Sequence, residues 1–521
     1  MRLKQTVGRR GAASLVAAGM LVSRIFGLIR DRAFAHYLGN SAAADAFRAA
    51  FRIPNFLQNL FGEGVLSASF IPVYARLNAE GRHDESSRLA EAIGALLALV
   101  TSVLVAVGVL AAPYLIDAIA PGFHGDKREL TVRLVRILFP GSGLLVFSAW
   151  CLGILNSHRK FFLSYAAPVM WNLAIIATFL WKGPHLDQER LSIVVAWGAV
   201  VGSGLQFGVQ LPVVWSLLRP IQSFIRSRSE HVRTVVTNFL PVFVSRGVVQ
   251  ISAYVDSLLA SFLPTGAVAA LSYAQTLNQL PVSLFGMAIS AAELPAMSSA
   301  LGSDAEIATA LRGRLLSGLR RMAYFVIPSA MAFLALGDVV VATIYKSGIF
   351  SSHDVRFVWG VLAGSAVGLF ATTSGRLYSS AFYALRDTRT PLKFAVIRVT
   401  LTLILGYLFA LPLPLWLGID RQWGVAGLTL SAGLAGWLEF TLLRRSLHKR
   451  IGVVEFSAAY VVKLWGAAIL AGLVGLLLNH HLPIHSALIR GMIILPVYGL
   501  LYLGIAALMG ISGIIGRLRR A

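Results

Sequence analysis

The sequence has few charged residues, still fewer acidic ones, and a single cysteine. Only 13% of its 521 residues are charged, whereas soluble domains carry about 25% charged residues. This shortage excludes an ordinary soluble globular protein. The single cysteine, Cys151, excludes an intrachain disulfide framework and a thiolate metal site. The 11 histidines show none of the spacings of zinc-binding motifs, so no metal site is predicted.

The chain is instead rich in apolar residues and in cations. Hydrophobic residues make up 57% of it, and 46 Lys and Arg outnumber 23 Asp and Glu. A nucleic-acid groove would concentrate cations on one face, but here they lie in short clusters between apolar segments. Fourteen of these segments have about the 20 residues that a bilayer span needs. The sequence therefore predicts an all-α polytopic membrane protein with about 14 transmembrane helices.

The distribution of Lys and Arg among the loops predicts the topology. If the N-terminus is cytoplasmic, the even-numbered loops and the C-terminal tail hold most loop cations, among them Arg226, Arg228 and Arg233. This alternation is what the positive-inside rule requires. Both termini are therefore expected in the cytoplasm.

Two pairs of similar segments indicate an internal duplication. The segment with Asp31 and Pro54 recurs with Asp256 and Pro281 at an offset of about 226, and LNSHRKF recurs as LRDTRTP at an offset of 230. Duplicated bundles with a substrate site between them are common among transporters. We therefore predict two pseudo-symmetric six-helix lobes followed by two C-terminal helices. Their expected boundaries are 1–224, 225–450 and 451–521.

The second predicted helix carries a polar stripe. Its members recur at intervals close to the 3.6-residue helical period: Asp45, Arg48, Arg52, Asn55, Asn59 and Glu63. Pro54 lies within the stripe and is expected to bend or open the helix, because proline removes a backbone donor. On the preceding helix Arg24 and Asp31 share a face, and Arg30 is expected to point elsewhere.

Several arginines are predicted to lie deep in the membrane: Arg24, Arg30, Arg48, Arg52, Arg246, Arg376 and Arg398. A charge at the bilayer centre costs about 2.5–3.5 kcal/mol on insertion scales, so these side chains should face a hydrated cavity. One interpretation is internal ion pairing, of Asp45 with Arg48 or Arg52 and of Asp31 with Arg24. The other is an anion site, because arginines outnumber carboxylates in the first lobe and guanidinium binds phosphate or pyrophosphate in bidentate fashion.

Four runs of sequence occur together in this chain. They are SRIFGLIRDRAFAHYLG, ADAFRAAFRIPNFLQNLFGEGVLSASFIPVYA, LSYAQTLNQLPVSLFGMAISAAELPAMS and FYALRDTRTP. The set resembles the MurJ (MviN) lipid II flippases of the multidrug/oligosaccharidyl-lipid/polysaccharide exporter superfamily, over nearly the whole chain. The resemblance implies two lobes around a cationic central cavity, with a groove for a polyprenyl tail formed by the last two helices. It also implies alternating-access movement of lipid II, undecaprenyl pyrophosphate carrying a disaccharide-peptide, to the outer leaflet of the bacterial inner membrane.

The resemblance also assigns residues. Charged or basic positions of the family's first two helices are matched by Arg24, Arg30, Asp31, Asp45, Arg52 and Glu63. Gln58 and Thr276 depart from the family, which commonly has arginine at both positions. Arg246, one helix before Thr276, is the expected substitute in the second lobe. Asp256 matches an acidic position linked to cation coupling, and its alternative interpretation is an ion pair with Arg398.

The expected partners are lipid II and membrane lipids, and no nucleic acid. No cofactor is expected, and sodium, protons and the membrane potential are the candidate driving forces. The chain is expected to act as a monomer, in association with cell-wall synthesis or division machinery. An exporter of another polyprenyl-pyrophosphate glycan, such as an O-antigen or teichoic-acid precursor, remains an alternative.

Two further alternatives are less favoured. A membrane enzyme acting on the same lipid should display catalytic carboxylates or a histidine in a substantial outer loop, but no predicted outer loop exceeds about fifteen residues. A non-transporting scaffold would gain nothing from deep cations. The chain is therefore not expected to be an enzyme.

Overall fold

A computed structural model describes residues 2–58, 66, 69–218, 235–237, 254–299 and 303–511. Over these ranges the regular structure is helical, without β-strands, as the sequence predicts. The chain divides into two compact units, Met1–Gly266 and Ala267–Ala521. The lobe boundary predicted near residue 224 lies outside the described residues and stays a prediction.

The N-terminal unit contains ten described α-helices. They are α1 (Arg2–Leu38), α2 (Ala42–Gln58), α3 (Ile71–Ala79), α4 (His83–Leu110), α5 (Ala112–Ile119), α6 (Gly125–Ser157), α7 (Phe161–Ala166), α8 (Pro168–Lys182), α9 (Gln188–Leu217) and α10 (Val255–Ser261). Helix α2 packs on α6 and buries Ala43, Ala46, Ala49 and Ala50. Small side chains let two helices approach closely, so this contact fixes the position of α2 and of the polar stripe on it.

The C-terminal unit also contains ten described α-helices. They are α11 (Ala267–Pro281), α12 (Ala288–Ser298), α13 (Asp304–Ala335), α14 (Gly337–Tyr345), α15 (Ser352–Ala384), α16 (Arg389–Ala410), α17 (Pro412–Trp416), α18 (Gly424–Ile451), α19 (Ala458–His481) and α20 (Ala487–Leu508). Capping boxes begin two of the long helices, with Ser303 and Glu306 at α13 and Ser351 and Asp354 at α15. Each box satisfies amide groups that the first helical turn leaves without partners.

Ten described helices or continuous helical segments are long and apolar enough to cross a membrane. Helices α13 and α14, which are separated by a sharp bend, make an eleventh if the pair is taken as one span. The three other predicted spans, 11–37, 44–77 and 234–262, each include residues whose backbone or side chains lie outside the described part of the chain. Near the ends of the spans, the rings of Trp181, Trp215 and Trp416 are exposed. Tryptophan is enriched at membrane interfaces, so their positions agree with a membrane-embedded protein.

The turns that follow α6 and α15 have the same backbone geometry. Both helices have 33 residues, and each is followed by an arginine in the left-handed region, Arg159 (φ 59°) and Arg386 (φ 58°). The next residue, Lys160 or Asp387, donates its N–H to the carbonyl five residues earlier at 2.9 Å. This equivalence supports the duplication and sets the offset at 227 positions. The offset of 230 predicted for these turns is too large. It came from aligning similar residues of the two sequences, whereas the ends of the two helices show which positions are structurally equivalent.

The two repeat-related prolines have different effects on their helices. Helix α2 keeps helical geometry through Pro54 to Gln58, so the described backbone does not open at Pro54, and the expected bend stays a prediction. At Pro281 the α-helix ends and a π-helical segment follows over Val282–Met287. Such segments are common where the regular hydrogen bonding of a helix is interrupted. Irregular hydrogen bonding therefore follows the second proline, for which sequence analysis made no prediction.

A third proline, Pro328, interrupts the hydrogen bonding of α13. Because proline has no N–H, the carbonyl of Tyr324, four residues earlier, loses its helical partner. The Tyr502 hydroxyl of α20 donates to that carbonyl at 2.7 Å, and the Tyr498 hydroxyl donates to the Pro328 carbonyl at 2.7 Å. An unsatisfied backbone group is costly in a membrane. The two tyrosines therefore attach α20 to α13 at the point where α13 needs donors.

Replacing Tyr502 with phenylalanine is expected to lower the free energy of unfolding by about 1–3 kcal/mol, the usual cost of an unsatisfied buried acceptor. Unfolding of the purified protein in detergent measures this loss. Tyr407→Phe is the matched control, because that side chain is 58% exposed. Equal unfolding midpoints for the two variants would show that the Tyr502 hydroxyl is not needed.

Candidate functional site

Two arginines of the N-terminal unit meet at Asp31, whose side chain is only 3% exposed. Its Oδ1 atom accepts hydrogen bonds from Arg30 Nη2 at 3.0 Å and from Arg48 Nη2 at 3.2 Å. The Arg30 and Arg48 side chains are 21% and 12% exposed. Two guanidinium groups therefore share one carboxylate, and part of their surface is open to a ligand.

Helix α8 and an aromatic ring hold the two guanidinium groups in place. Arg30 Nη1 donates to Asn172 Oδ1 at 3.1 Å, and its guanidinium carbon lies 5.0 Å from the Trp171 ring centroid. The guanidinium carbon of Arg48 lies 4.1 Å from the Phe34 ring centroid. Cation–π contacts of this kind favour a charge that has left water. We call Arg30, Asp31, Arg48, Trp171 and Asn172 the Asp31 cluster.

The cluster corrects two expectations. The prediction that Arg30 points away from Asp31 is wrong, because the long Arg30 side chain turns its guanidinium back to the neighbouring carboxylate. Arg24 is exposed on α1 among Leu21 and Ile25, and within the described residues its side chain has no hydrogen bond or ion pair. The predicted pairing of Arg24 with Asp31 is therefore not formed. Asn172 was missed, although an asparagine within an apolar helix is itself a signal.

Asp45 has an ion-pair partner that the sequence did not suggest. Its Oδ2 atom accepts hydrogen bonds from Lys127 Nζ at 2.6 Å and from the Gly266 backbone N–H at 2.8 Å, and the side chain is fully buried. Gly266 has φ +93°, and a Cβ there would lie 2.6 Å from the Asn40 carbonyl oxygen, so only glycine fits. Sequence analysis suggested Arg48 or Arg52 as the partner. Asp45 instead ties the first turn of α6 to α2.

Arg52, further along the polar stripe of α2, lies beside α10. The Tyr254 hydroxyl donates to the Arg52 carbonyl at 2.7 Å, and Asp256 is close enough to stabilise the Arg52 positive charge. The Arg52 and Asn55 side chains are partly exposed. Glu63 and Arg246, two other candidates, lie outside the described residues. The side chain of Gln58 also lies outside them, although its backbone is described.

In the C-terminal unit, Arg398 pairs with Glu439, for which the sequence left open a role as a cavity residue or as a pairing partner. Arg398 Nε lies 3.4 Å from Glu439 Oε2, and the suggested pair of Arg398 with Asp256 stays a prediction. Thr276 donates its hydroxyl to the Ser272 carbonyl of its own helix at 3.0 Å. The departure from the family at Thr276 therefore places a short neutral side chain on α11.

The described charges of the N-terminal site do not balance. Arg30 and Arg48 share the single carboxylate of Asp31, Arg52 lies near Asp256, and Lys127 neutralises Asp45. Partly buried guanidinium groups bind oxyanions through paired N–H donors. Across the described ranges, no three His, Cys, Asp or Glu side chains are placed to hold a metal ion. The chemistry that these residues offer is binding of an anion.

Comparison with known proteins gives a consistent result. The family model described as lipid II flippase MurJ matches residues 34–494. The lipid II flippase MurJ of Burkholderia cenocepacia is 34% identical over 476 residues, 88% of this chain and 89% of that protein. The probable lipid II flippase MurJ of Haemophilus influenzae is 30% identical over 472 residues, 87% of this chain and 89% of that protein.

Solved structures show the same fold. A lipid II flippase MurJ in an inward closed conformation covers 95% of this chain and 98% of its own, with a TM-score of 0.76 at 24% identity. An inward-facing multidrug resistance MATE family transporter of the MOP superfamily covers 86% of this chain and 99% of its own, with a TM-score of 0.66 at 17% identity. The fold is therefore shared by flippases and multidrug transporters.

Proposed function

This chain belongs to the MurJ family of lipid II flippases, and we propose that it moves lipid II from the cytoplasmic to the outer leaflet of the bacterial inner membrane. It is a multi-pass membrane protein, and we place both termini in the cytoplasm on the distribution of loop cations. Family membership supports the cargo. The unbalanced charge around the Asp31 cluster is the single observation that carries the binding step.

The Asp31 cluster suits the pyrophosphate of the substrate. Asp31 holds the guanidinium groups of Arg30 and Arg48 against a common oxygen, so their remaining N–H donors are already oriented before the ligand arrives. Preorganised donors reduce the ordering cost of binding. Each phosphate can then accept charge-assisted hydrogen bonds from an arginine. The arginine surplus is neutralised only when the anion is bound.

This charge balance also supports an alternating-access cycle. A ligand shifts a protein between two conformations only through its different affinities for them. A pyrophosphate that neutralises excess guanidinium charge lowers the electrostatic cost of closing water out of the site. We propose that closure around the bound anion precedes release on the other side. Buried Asp45, tied to Lys127 and Gly266, keeps the first turns of α2 and α6 together during the movement.

We propose that coupling to an energy source acts at Asp256. Its carboxylate lies close to Arg52, so binding of a sodium ion or a proton there alters the charge that the substrate meets. The membrane potential is the remaining candidate. We further propose that the chain works as a monomer beside the cell-wall synthesis or division machinery, with no bound cofactor and no catalytic step.

Depletion and complementation test the proposed function. In cells depleted of their own flippase, expression of this chain is expected to restore outer-leaflet lipid II, measured by its accessibility to an externally added modifying enzyme. Expression without restored exposure would reject the proposal. Restored surface display of an O-antigen or teichoic-acid polymer, with lipid II still confined to the inner leaflet, would instead identify the alternative cargo.

A further inference from the structure

Three charged side chains in the C-terminal unit come from three different helices. Arg376 belongs to α15, Arg398 to α16 and Glu439 to α18, and α18 packs against both of the other helices. Arg398 Nε lies 3.4 Å from Glu439 Oε2. Arg376 is within electrostatic reach of both residues. The three side chains therefore form one group, which we call the Arg376 cluster.

Arg376 is an exposed charge within a membrane span. It lies eight residues before the end of α15, about 12 Å along the helix at a rise of 1.5 Å per residue. Within the part of the chain that the structure describes, its guanidinium has no hydrogen bond or ion pair. A charge so placed is expected to face water or a polar ligand rather than lipid, because its insertion cost is about 2.5–3.5 kcal/mol at the centre of a span.

The surroundings of Arg376 are polar along the same face of α15. Thr372, Ser379 and Tyr383 lie four residues before, three after and seven after it, the spacing of one helical face. Thr372 and Ser379 are partly exposed, and the Tyr383 side chain is 48% exposed. The Thr372 hydroxyl donates to the Gly368 carbonyl of its own helix at 3.0 Å, so Ser379 and Tyr383 are the hydroxyl groups that this face can offer to an oxyanion.

The charge of the Arg376 cluster repeats that of the Asp31 cluster. Each contains two guanidinium groups and one carboxylate, but Asp31 binds both of its arginines whereas Glu439 pairs with Arg398 alone. Glu439 holds Arg398, which is 36% exposed, and leaves the Arg376 donors unoccupied. The net positive charge favours an anion over a metal ion or a neutral sugar.

We propose that the Arg376 cluster is a second anion site, which binds a phosphate or carboxylate of the lipid-linked substrate. The proposal rests on the proposed function, because it takes the substrate to be a lipid that carries both groups. Arg376, rather than Arg246, then supplies the second-lobe cation that is absent at Thr276.

Binding to the purified full-length protein in detergent tests this site. Arg376→Gln is expected to weaken binding of lipid II about tenfold, the effect of losing one strong charge-assisted hydrogen bond. Arg445→Gln, at the exposed end of α18, is the matched control and is expected to bind as the wild type does. Parallel measurement with undecaprenyl pyrophosphate separates the two groups, since equal weakening indicates the pyrophosphate and weakening of lipid II alone indicates a peptide carboxylate.

A second variant moves the affinity in the opposite direction. Glu439→Gln removes the negative charge of the cluster and is expected to tighten lipid II binding several-fold, which damage to the fold could not do. Wild-type affinity in Arg376→Gln, or weaker binding in Glu439→Gln, would overturn the second site and leave the proposed function standing. A wild-type protein that binds neither lipid would reject the proposed function, and this site with it.

Discussion

Asp31→Asn is expected to abolish flipping and to destabilise the N-terminal unit. The substitution keeps the shape of the side chain but removes the charge that Arg30 and Arg48 share. Removing one partner of a buried ion pair costs about 3–5 kcal/mol, because the remaining charge loses its compensation. Unfolding in detergent measures the stability, and outer-leaflet lipid II in complemented cells measures transport.

Asp117→Asn is the matched control for this change. Asp117 forms a two-pronged pair with Arg128, but its side chain is 55% exposed, so its loss is expected to leave both measurements nearly unchanged. The double variant Asp31→Asn with Arg48→Gln should recover part of the stability, since the two residues are coupled. The shared ion pair would be contradicted if the stability losses of the two single variants simply added in the double variant. A wild-type unfolding midpoint in Asp31→Asn would contradict it as well.

The sequence predicts which helices carry charge and on which face, because the helical period fixes these properties locally. Asp45, Arg48 and Arg52 recur with that period and belong to one helix, α2. The pattern says much less about partners. Lys127 pairs with Asp45 across 82 positions, and Asn172 bonds to Arg30 across 142. Such contacts depend on how helices cross, which no spacing within one helix encodes.

The limits of local spacing also account for the proline result. Both Pro54 and Pro281 remove a backbone donor, but sequence analysis predicted a disturbed helix only at Pro54. Pro281 is followed directly by a π-helical segment, whereas α2 stays helical from Pro54 to Gln58, where the described part of the helix ends. Helix α2 packs against α6 and buries several alanines, and that packing supports regular geometry. Tertiary packing therefore decides whether a proline opens its helix.

Charge reversal at Arg24 is expected to reduce outer-leaflet lipid II to the level of depleted cells. The Arg24 side chain is exposed on α1 among apolar neighbours, with no partner in the described part of the chain. If it receives the pyrophosphate, glutamate at this position replaces attraction by repulsion. Because Arg24 has no hydrogen bond or ion pair among the described residues to lose, the variant should remain in the membrane at wild-type abundance. Arg52→Glu should act in the same way, with an added loss of stability from its proximity to Asp256.

Arg88→Glu is the control for Arg24→Glu, because it separates a local effect at Arg24 from an effect of the protein's net charge. Arg88 is also an exposed arginine, on α4, and its reversal changes the total charge of the protein by the same amount. We expect Arg88→Glu to support transport and Arg24→Glu to fail while both are present in the membrane. Normal growth with Arg24→Glu would mean that this arginine does not meet the substrate. Equal failure of both variants would instead attribute the effect to insertion or topology, which depend on positive charge in general.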